Sequence, residues 1–274
     1  MNLFWGFLIT AGICVVTVAV MLLVRRRAPE GSYFADGDRA SGVFGVLATG
    51  FSVLLGFIIF LAFTSYDQSR AGAETEASVV SQQVETAQFF PPGARRRLTG
   101  QLVCYGRSVI HGEWKRMEQG TQGDSVNPWG VALFQTLQGV KPQTASEQSA
   151  YDKWLDDTST RQQGRLDRIH GAVGVIPTPL WIVLFFISAV IFVYMLFFAD
   201  SGEGAVTQGL LMGAVTSVIV VMLLLLNFLN SPFQTGYGGL RPVAMERTLR
   251  IVDEALRSTK TPLAAPCDAE GNPA

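Results

Sequence analysis

Apolar residues in this chain fall into four long runs, residues 3–24, 43–64, 180–199 and 205–229, each near the roughly 20 residues that a helix needs to cross a bilayer core. The second run does not end in a polar loop. It passes into residues 65–85 with no Pro and only Gly72, which predicts one continuous rod, half apolar and half charged. In the apolar half, Gly45, Thr49, Ser52 and Gly56 recur at steps of four, three and four, so the small and weakly polar residues share one stripe of the helix. Phe44, Phe51, Leu55 and Ile58 lie elsewhere on its circumference. A stripe of small residues suits two uses: close packing against another helix in lipid, or the wall of a water-filled pore.

Residues 65–177 read as helix after helix, without a strand pattern. The first carries Ala73, Ala77, Val80, Val84 and Ala87 at helical steps and stops at Pro91 and Pro92. The next, 95–119, puts Leu98, Leu102, Tyr105 and Val109 on one face, with Trp114 and Met117 beyond. Residues 120–127 are a loop by composition, and Asn127 caps a short helix opening at Pro128, with Val131, Phe134 and Leu137 as its apolar side. Thr144 and Glu147 have the spacing of a capping box, and the helix they open presents Tyr151, Trp154 and Leu155 to a partner.

The third and fourth runs are joined by residues 200–204 alone, which predicts an antiparallel helical hairpin. Gly209, Gly213 and Ser217 give the fourth run a small-residue interface. Residues 241–258 form a last amphipathic helix with Val243, Leu249, Val252 and Leu256 on its apolar side, and the tail from Thr259 has the composition of disorder. The expected fold is all-α: a polytopic membrane protein of four transmembrane helices with a helical extramembrane bundle. Its parts are a first transmembrane pair (1–64), the helical segment (65–177), a second transmembrane hairpin (178–230) and a C-terminal helix with its tail (231–274).

Composition and charge narrow the possibilities. Hydrophobic residues are 49% and charged residues 16%, and the clumping of the apolar ones argues against a large soluble core. A net charge of -1 leaves no general attraction for nucleic acid. The twelve acidic and twelve basic residues between 65 and 177 suit a bundle laced by its own ion pairs. The first run has no basic residues before it, is followed by Arg25, Arg26 and Arg27, and lacks a small-residue cleavage pattern, so it is expected to stay in the mature protein. Those arginines place the first loop in the cytoplasm. Arg161, Arg165 and Arg168 before the third run, and Arg241, Arg247 and Arg250 after the fourth, point the other way and tip the balance towards a cytoplasmic helical segment.

The three cysteines, Cys14, Cys104 and Cys267, have no ligand spacing, and neither a disulfide nor a zinc site is expected. His111 and His170 are far apart, and no phosphate loop or nucleophile pattern occurs, so neither enzymatic activity nor a cofactor is expected. Asp67, Arg70 and Glu74, just past the second run, stand at steps of three and four. They form either an exposed ion network along one helix or a charged ring at a pore mouth repeated by symmetry.

The residues 54–57 (Leu-Leu-Gly-Phe), Tyr66 through Arg70, Glu74 through Ala77, Glu113-Trp114, 177–181 and above all 229–233 (Leu-Asn-Ser-Pro-Phe) resemble, in order, the bestrophin-like family of bacterial membrane proteins. The resemblance covers roughly residues 43–254 and extends distantly to bestrophins, which share the plan of two spans, a helical cytosolic segment and two spans, and assemble as pentameric anion channels lined by the second span. It implies a homo-oligomer in a lipid bilayer, with the stripe from Gly45 to Gly56, Phe57 or Phe60 facing a pore for anions. It also implies that Asn230, Pro232 and Phe233 begin a calcium clasp. Residues 234–241 depart from that plan, having none of the carboxylates that a hard cation wants. The alternative is a membrane-anchored structural or sensory protein whose helical segment binds a partner through Tyr151 and Trp154.

Overall fold

The computed structural model describes residues 3–121, 126–258 and 265–274. The chain forms two compact units, Met1–Thr64 with Val175–Asn230, and Ser65–Gly174 with Ser231–Ala274. Among the described residues, four helices are long and apolar enough to cross a membrane, and β-structure is limited to one bridge between Cys267 and Pro273.

The first unit contains α1 (Leu3–Arg25), the apolar part of α2 (Gly37–Thr86), α7 (Thr178–Phe197) and α8 (Ala205–Leu229). These elements follow the four apolar runs, the two ends of α8 coinciding with the fourth. On α2 the inward face is Phe51, Leu55, Ile58 and Ala62, and on α7 it is Leu184, Ser188 and Ile191. An aromatic cluster closes one end of this unit: Tyr194 lies 5.3 Å from Phe34 and 5.7 Å from Phe44, and its hydroxyl donates to the Ala40 carbonyl at 3.1 Å. The loop after α1 is knitted to the one after α7. The Gly31 amide donates to Asp200 Oδ1 at 3.0 Å, and the Arg25 guanidinium donates to the carbonyls of Ser201 and Glu203.

The short connection of α7 to α8 led us to expect these two to be packing neighbours, yet α8 rests chiefly along α1 and touches α7 more lightly. The small residues explain the choice. A Cβ at Gly209 or Gly213 would stand 3.5 or 3.7 Å from a Val18 methyl, and the Cys14 thiol donates to the Gly213 carbonyl at 3.6 Å. Without side chains at these positions the two helices come close enough for dispersion to bind them, the main attraction available in lipid.

The second unit begins with the charged part of α2, a 3-10 turn at Ala87–Phe89, and α3 (Pro92–Ser108), which opens on Pro92 where the missing N–H costs nothing. A π turn, Val109–Glu113, carries α3 into α4 (Trp114–Glu118). Two helices follow as predicted: α5 (Pro128–Gln138), where Asn127 Oδ1 accepts from the Trp129 amide at 3.0 Å, and α6 (Ala145–His170), where Thr144 Oγ1 accepts from the Glu147 amide at 3.1 Å. The expected loop at 120–127 lies partly outside the described residues. The last helix of the second unit is α9 (Val243–Ser258).

Three faces differ from expectation. On α5 the buried residues are Trp129, Leu133 and Leu137, while Val131 and Phe134 are exposed. On α9 the buried side is Met245, Thr248, Val252 and Leu256, with Leu249 at its edge against Gly106 and Val243 exposed. On α6, Trp154 is 1% exposed and packs 5.7 Å from the Phe90 ring, so it is core and not a partner surface; Tyr151 is half-buried and Leu155 exposed. An amphipathic period identifies a helix more firmly than it identifies which of two adjacent stripes meets the core.

The disulfide expectation is overturned. Cys104 of α3 and Cys267 are bonded, with Cα atoms 5.8 Å apart. Of the tail expected to be disordered, residues 259–264 lie outside the described residues, and residues 265–274 are docked on the helices. The Trp129 indole donates to the Gly271 carbonyl at 2.7 Å and Arg107 to the Asp268 carbonyl at 3.0 Å. Gly271 has φ +86°, and a Cβ there would stand 2.3 Å from the Ser108 amide nitrogen, so no other residue fits this approach.

Candidate functional site

The predicted stripe on α2 faces away from the rest of its own unit. Gly45, Thr49, Ser52 and Gly56 are all exposed, and nothing lies within 4 Å of a Cβ built at Gly45 or Gly56. The exposed face continues at helical steps through Phe60, which is 63% exposed, with Phe57 beside it at 61%. Packing against another helix of the same chain is therefore not its use. The Ser52 hydroxyl needs no outside partner, because it donates to the Ala48 carbonyl at 2.8 Å. The face presents small groups and two large rings, without a charge.

Asp67, Arg70 and Glu74 are exposed on the charged part of α2. Of the three, Arg70 and Glu74 pair, Nε to Oε1 at 3.2 Å, with both side chains open to solvent at 62% and 60%. Such a pair contributes little to stability.

The opposite side of the charged part of α2 holds a constellation missed from the sequence. Gly72 and Gly164 let α2 and α6 touch backbone to backbone: a Cβ on Gly72 would stand 2.5 Å from the Arg168 nitrogen and 2.7 Å from the Gly164 carbonyl oxygen. One turn beyond each glycine come Glu76 and Arg168, both wholly buried. Arg168 Nε donates to Glu76 Oε2 at 2.5 Å, and Nη2 donates to Glu76 Oε1 at 3.1 Å and to Glu113 Oε2 at 2.6 Å. Glu113, delivered by the π turn, also accepts from Arg165 Nε at 3.2 Å and from Asn127 Nδ2 at 2.9 Å. Tyr105 donates to Glu76 Oε1 at 2.5 Å. Arg161 lies over the Tyr105 ring at 4.7 Å and donates to Gln83 Oε1 at 2.9 Å.

Burial drives the Glu113 carboxyl up, but Arg168 and Arg165 and the hydrogen bonds from Arg168 and Asn127 outweigh it and hold the carboxyl below its ordinary value. Burial weakens the Arg168 charge, and Glu76 and Glu113 more than restore it, so it stays a cation. Burial, then Glu76, raise the Tyr105 hydroxyl well above its usual range. Burial also lowers Arg161, against the pull of Tyr105 and Glu76. The shifts of Glu113, Arg168 and Tyr105 carry those groups away from neutral pH, where a proton-transfer catalyst is wanted. The arrangement is a clamp joining α2, α3, the π turn and α6. Its sequence signals were the balance of twelve acidic and twelve basic residues in 65–177, read as a bundle laced by its own ion pairs, and the spacing Arg161, Arg165, Arg168, read as charges flanking a span.

The post-span residues are engaged structurally. Asn230 Oδ1 accepts from the amides of Val175 and Ile176, both at 2.9 Å. Phe233 is buried and meets Trp114 edge-on at 5.4 Å, and the Pro232 carbonyl accepts from the Leu240 amide at 2.8 Å, closing the loop 232–240. Among the described residues no group of three His, Cys, Asp or Glu is placed to hold a metal.

The sequence matches the Bestrophin-like domain over residues 5–238. The chain belongs to the bestrophin-like family. Solved structures share the fold of this bestrophin-like protein at low identity. A point variant of a bacterial bestrophin homolog from Klebsiella pneumoniae superposes with a TM-score of 0.66 at 14% identity, covering 91% of this chain and 98% of that one. The same homolog, solved by zinc anomalous phasing, gives 0.66 at 13%, covering 95% and 100%. A membrane protein described only as a point variant gives 0.67 at 14%, covering 92% and 99%. No curated protein matches the sequence. The bestrophin-like chain is thus an all-helical, multi-pass membrane protein with the fold of bestrophin homologs.

Proposed function

We propose that this bestrophin-like chain is one subunit of a homo-oligomeric anion channel, a pentamer in a bacterial inner membrane, with α2 of every subunit facing a common axis. The observation that carries this reading is the exposed, uncharged face of α2 from Gly45 to Phe60, unused by any other helix of its unit. Ringed about an axis, its small residues leave a wide path, Phe57 and Phe60 make an apolar constriction, and absence of carboxylates spares an anion from repulsion. Asp67, Arg70 and Glu74 form the charged mouth, and lipid covers the remaining apolar surface. With Asn230 occupied by backbone amides, opening does not require calcium.

The test is current through purified protein in planar bilayers, together with its mass under native conditions. Phe57→Ala and Phe60→Ala alter conductance or its rectification, and chelating calcium leaves the current unchanged. A monomer in the native spectrum, or a protein that passes no current under varied anions and voltages, overturns the proposal.

A further inference from the structure

We propose that the helical unit of this chain faces the oxidising, extracytoplasmic compartment, with the loops at 26–36 and 198–204 in the cytoplasm, the reverse of the side favoured by charge counting and of the cytosolic helical segment in the bestrophin plan. Four crossings place the residues before α1, those between α2 and α7, and those after α8 on one side, so one orientation decides all three.

The first ground is the Cys104–Cys267 disulfide, both halves of which lie on that side. Reducing cytosol keeps protein thiols free, whereas disulfides form and persist outside it. The pairing is no chance approach of two surface thiols. Cys104 is wholly buried in α3, and the segment bearing Cys267 is seated by the Trp129–Gly271 and Arg107–Asp268 hydrogen bonds and by a glycine that no side chain can replace.

The second ground is that the structure accounts for the arginines that pointed the other way. Arg168 neutralises Glu76 and Glu113, Arg165 pairs with Glu113, and Arg161 stacks on Tyr105. Their positions follow from the interior of the helical unit and carry no message about the membrane. A segment of that length also crosses largely regardless of its charges, whereas short loops near the spans decide orientation. In the short loop, Arg25, Arg26, Arg27 and Arg39 stand together, and Arg26, Arg27 and Arg39 are exposed; within comparable reach after α8 stand only Arg241 and Arg247. The carboxylates of Asp200 and Glu203 on the same face as Arg25 count for little.

The experiment uses the full-length chain, with Cys14→Ser to remove the thiol inside α1, expressed in bacterial cells. Cells are acid-quenched, free thiols are blocked with N-ethylmaleimide under denaturing conditions, and the chain is then reduced and treated with maleimide-polyethylene glycol. Both cysteines take up the polymer after reduction and neither without it. In parallel, alkaline phosphatase fused after Ala274 is active, and green fluorescent protein fused at the same place is dark. Free thiols at Cys104 and Cys267 before reduction, or a fluorescent fusion, overturn the proposal. Neither readout depends on whether the protein conducts ions, so this orientation and the channel reading stand or fall separately.

Discussion

Replacing Arg168 by Met tests whether the buried charge network holds the helical unit together. Met keeps an unbranched apolar stem, so the change removes charge and hydrogen bonds more than packing. Three bonds to two carboxylates disappear, those at 2.5, 3.1 and 2.6 Å. Glu113 retains Arg165 and Asn127, but Glu76 is left wholly buried, with the Tyr105 hydroxyl as its remaining hydrogen-bond donor among the described residues and the attraction of Arg161 from beside Tyr105. One uncompensated buried carboxylate sets the cost at about 3–5 kcal/mol. Adding Glu76→Gln removes that charge while still accepting from Tyr105, so the double variant recovers most of the loss and falls short of the parent by about 1 kcal/mol for the lost hydrogen bonds. The assay is denaturant unfolding in detergent followed by tryptophan fluorescence, since Trp114, Trp129 and Trp154 are buried in this unit. The reasoning is refuted if Arg168→Met lies within about 1 kcal/mol of the parent, the size of an ordinary hydrogen bond, or if the double variant is no better than the single one.

Other outcomes follow from the same geometry. Gly72→Ala gains about 1 kcal/mol of helix propensity, but its methyl meets the backbone of α6, and overpacking of about 1–3 kcal/mol makes it a net loss in thermal stability; Gly45→Ala, with open space around it, shows no such loss. Trp154→Ala lowers the denaturation midpoint by an amount equivalent to about 3–5 kcal/mol, while Leu155→Ala, exposed one residue on, stays within about 0.5. The Glu113 carboxyl titrates lower in the folded chain than in the unfolded one, so its contribution to stability is complete above about pH 4.3, the value of a free glutamate, and is lost as pH falls below it. Unfolding midpoints measured from pH 7 down to pH 3 decline at the acid end, and Glu113→Gln flattens that decline.

Hydropathy and periodicity act over a few turns of one helix, and whatever depends on them was legible in this sequence. The four spans, the unbroken α2, the Asn127 and Thr144 caps and the stripe from Gly45 to Gly56 were all readable, and so was the resemblance carried by residues 229–233. Other features were set by residues far apart in the chain that only the tertiary structure brings together. Glu76 meets Arg168 across 92 positions, and Cys104 meets Cys267 across 163. Gly72 is a lone helix-weakening residue until Gly164 is laid against it, and Trp154 is a partner surface until Phe90 covers it. In sequence, Arg161, Arg165 and Arg168 were charges beside a span. Buried beside Tyr105, Glu113 and Glu76, they hold three helices together, because an isolated charge is too costly to bury and a partner must come from another helix.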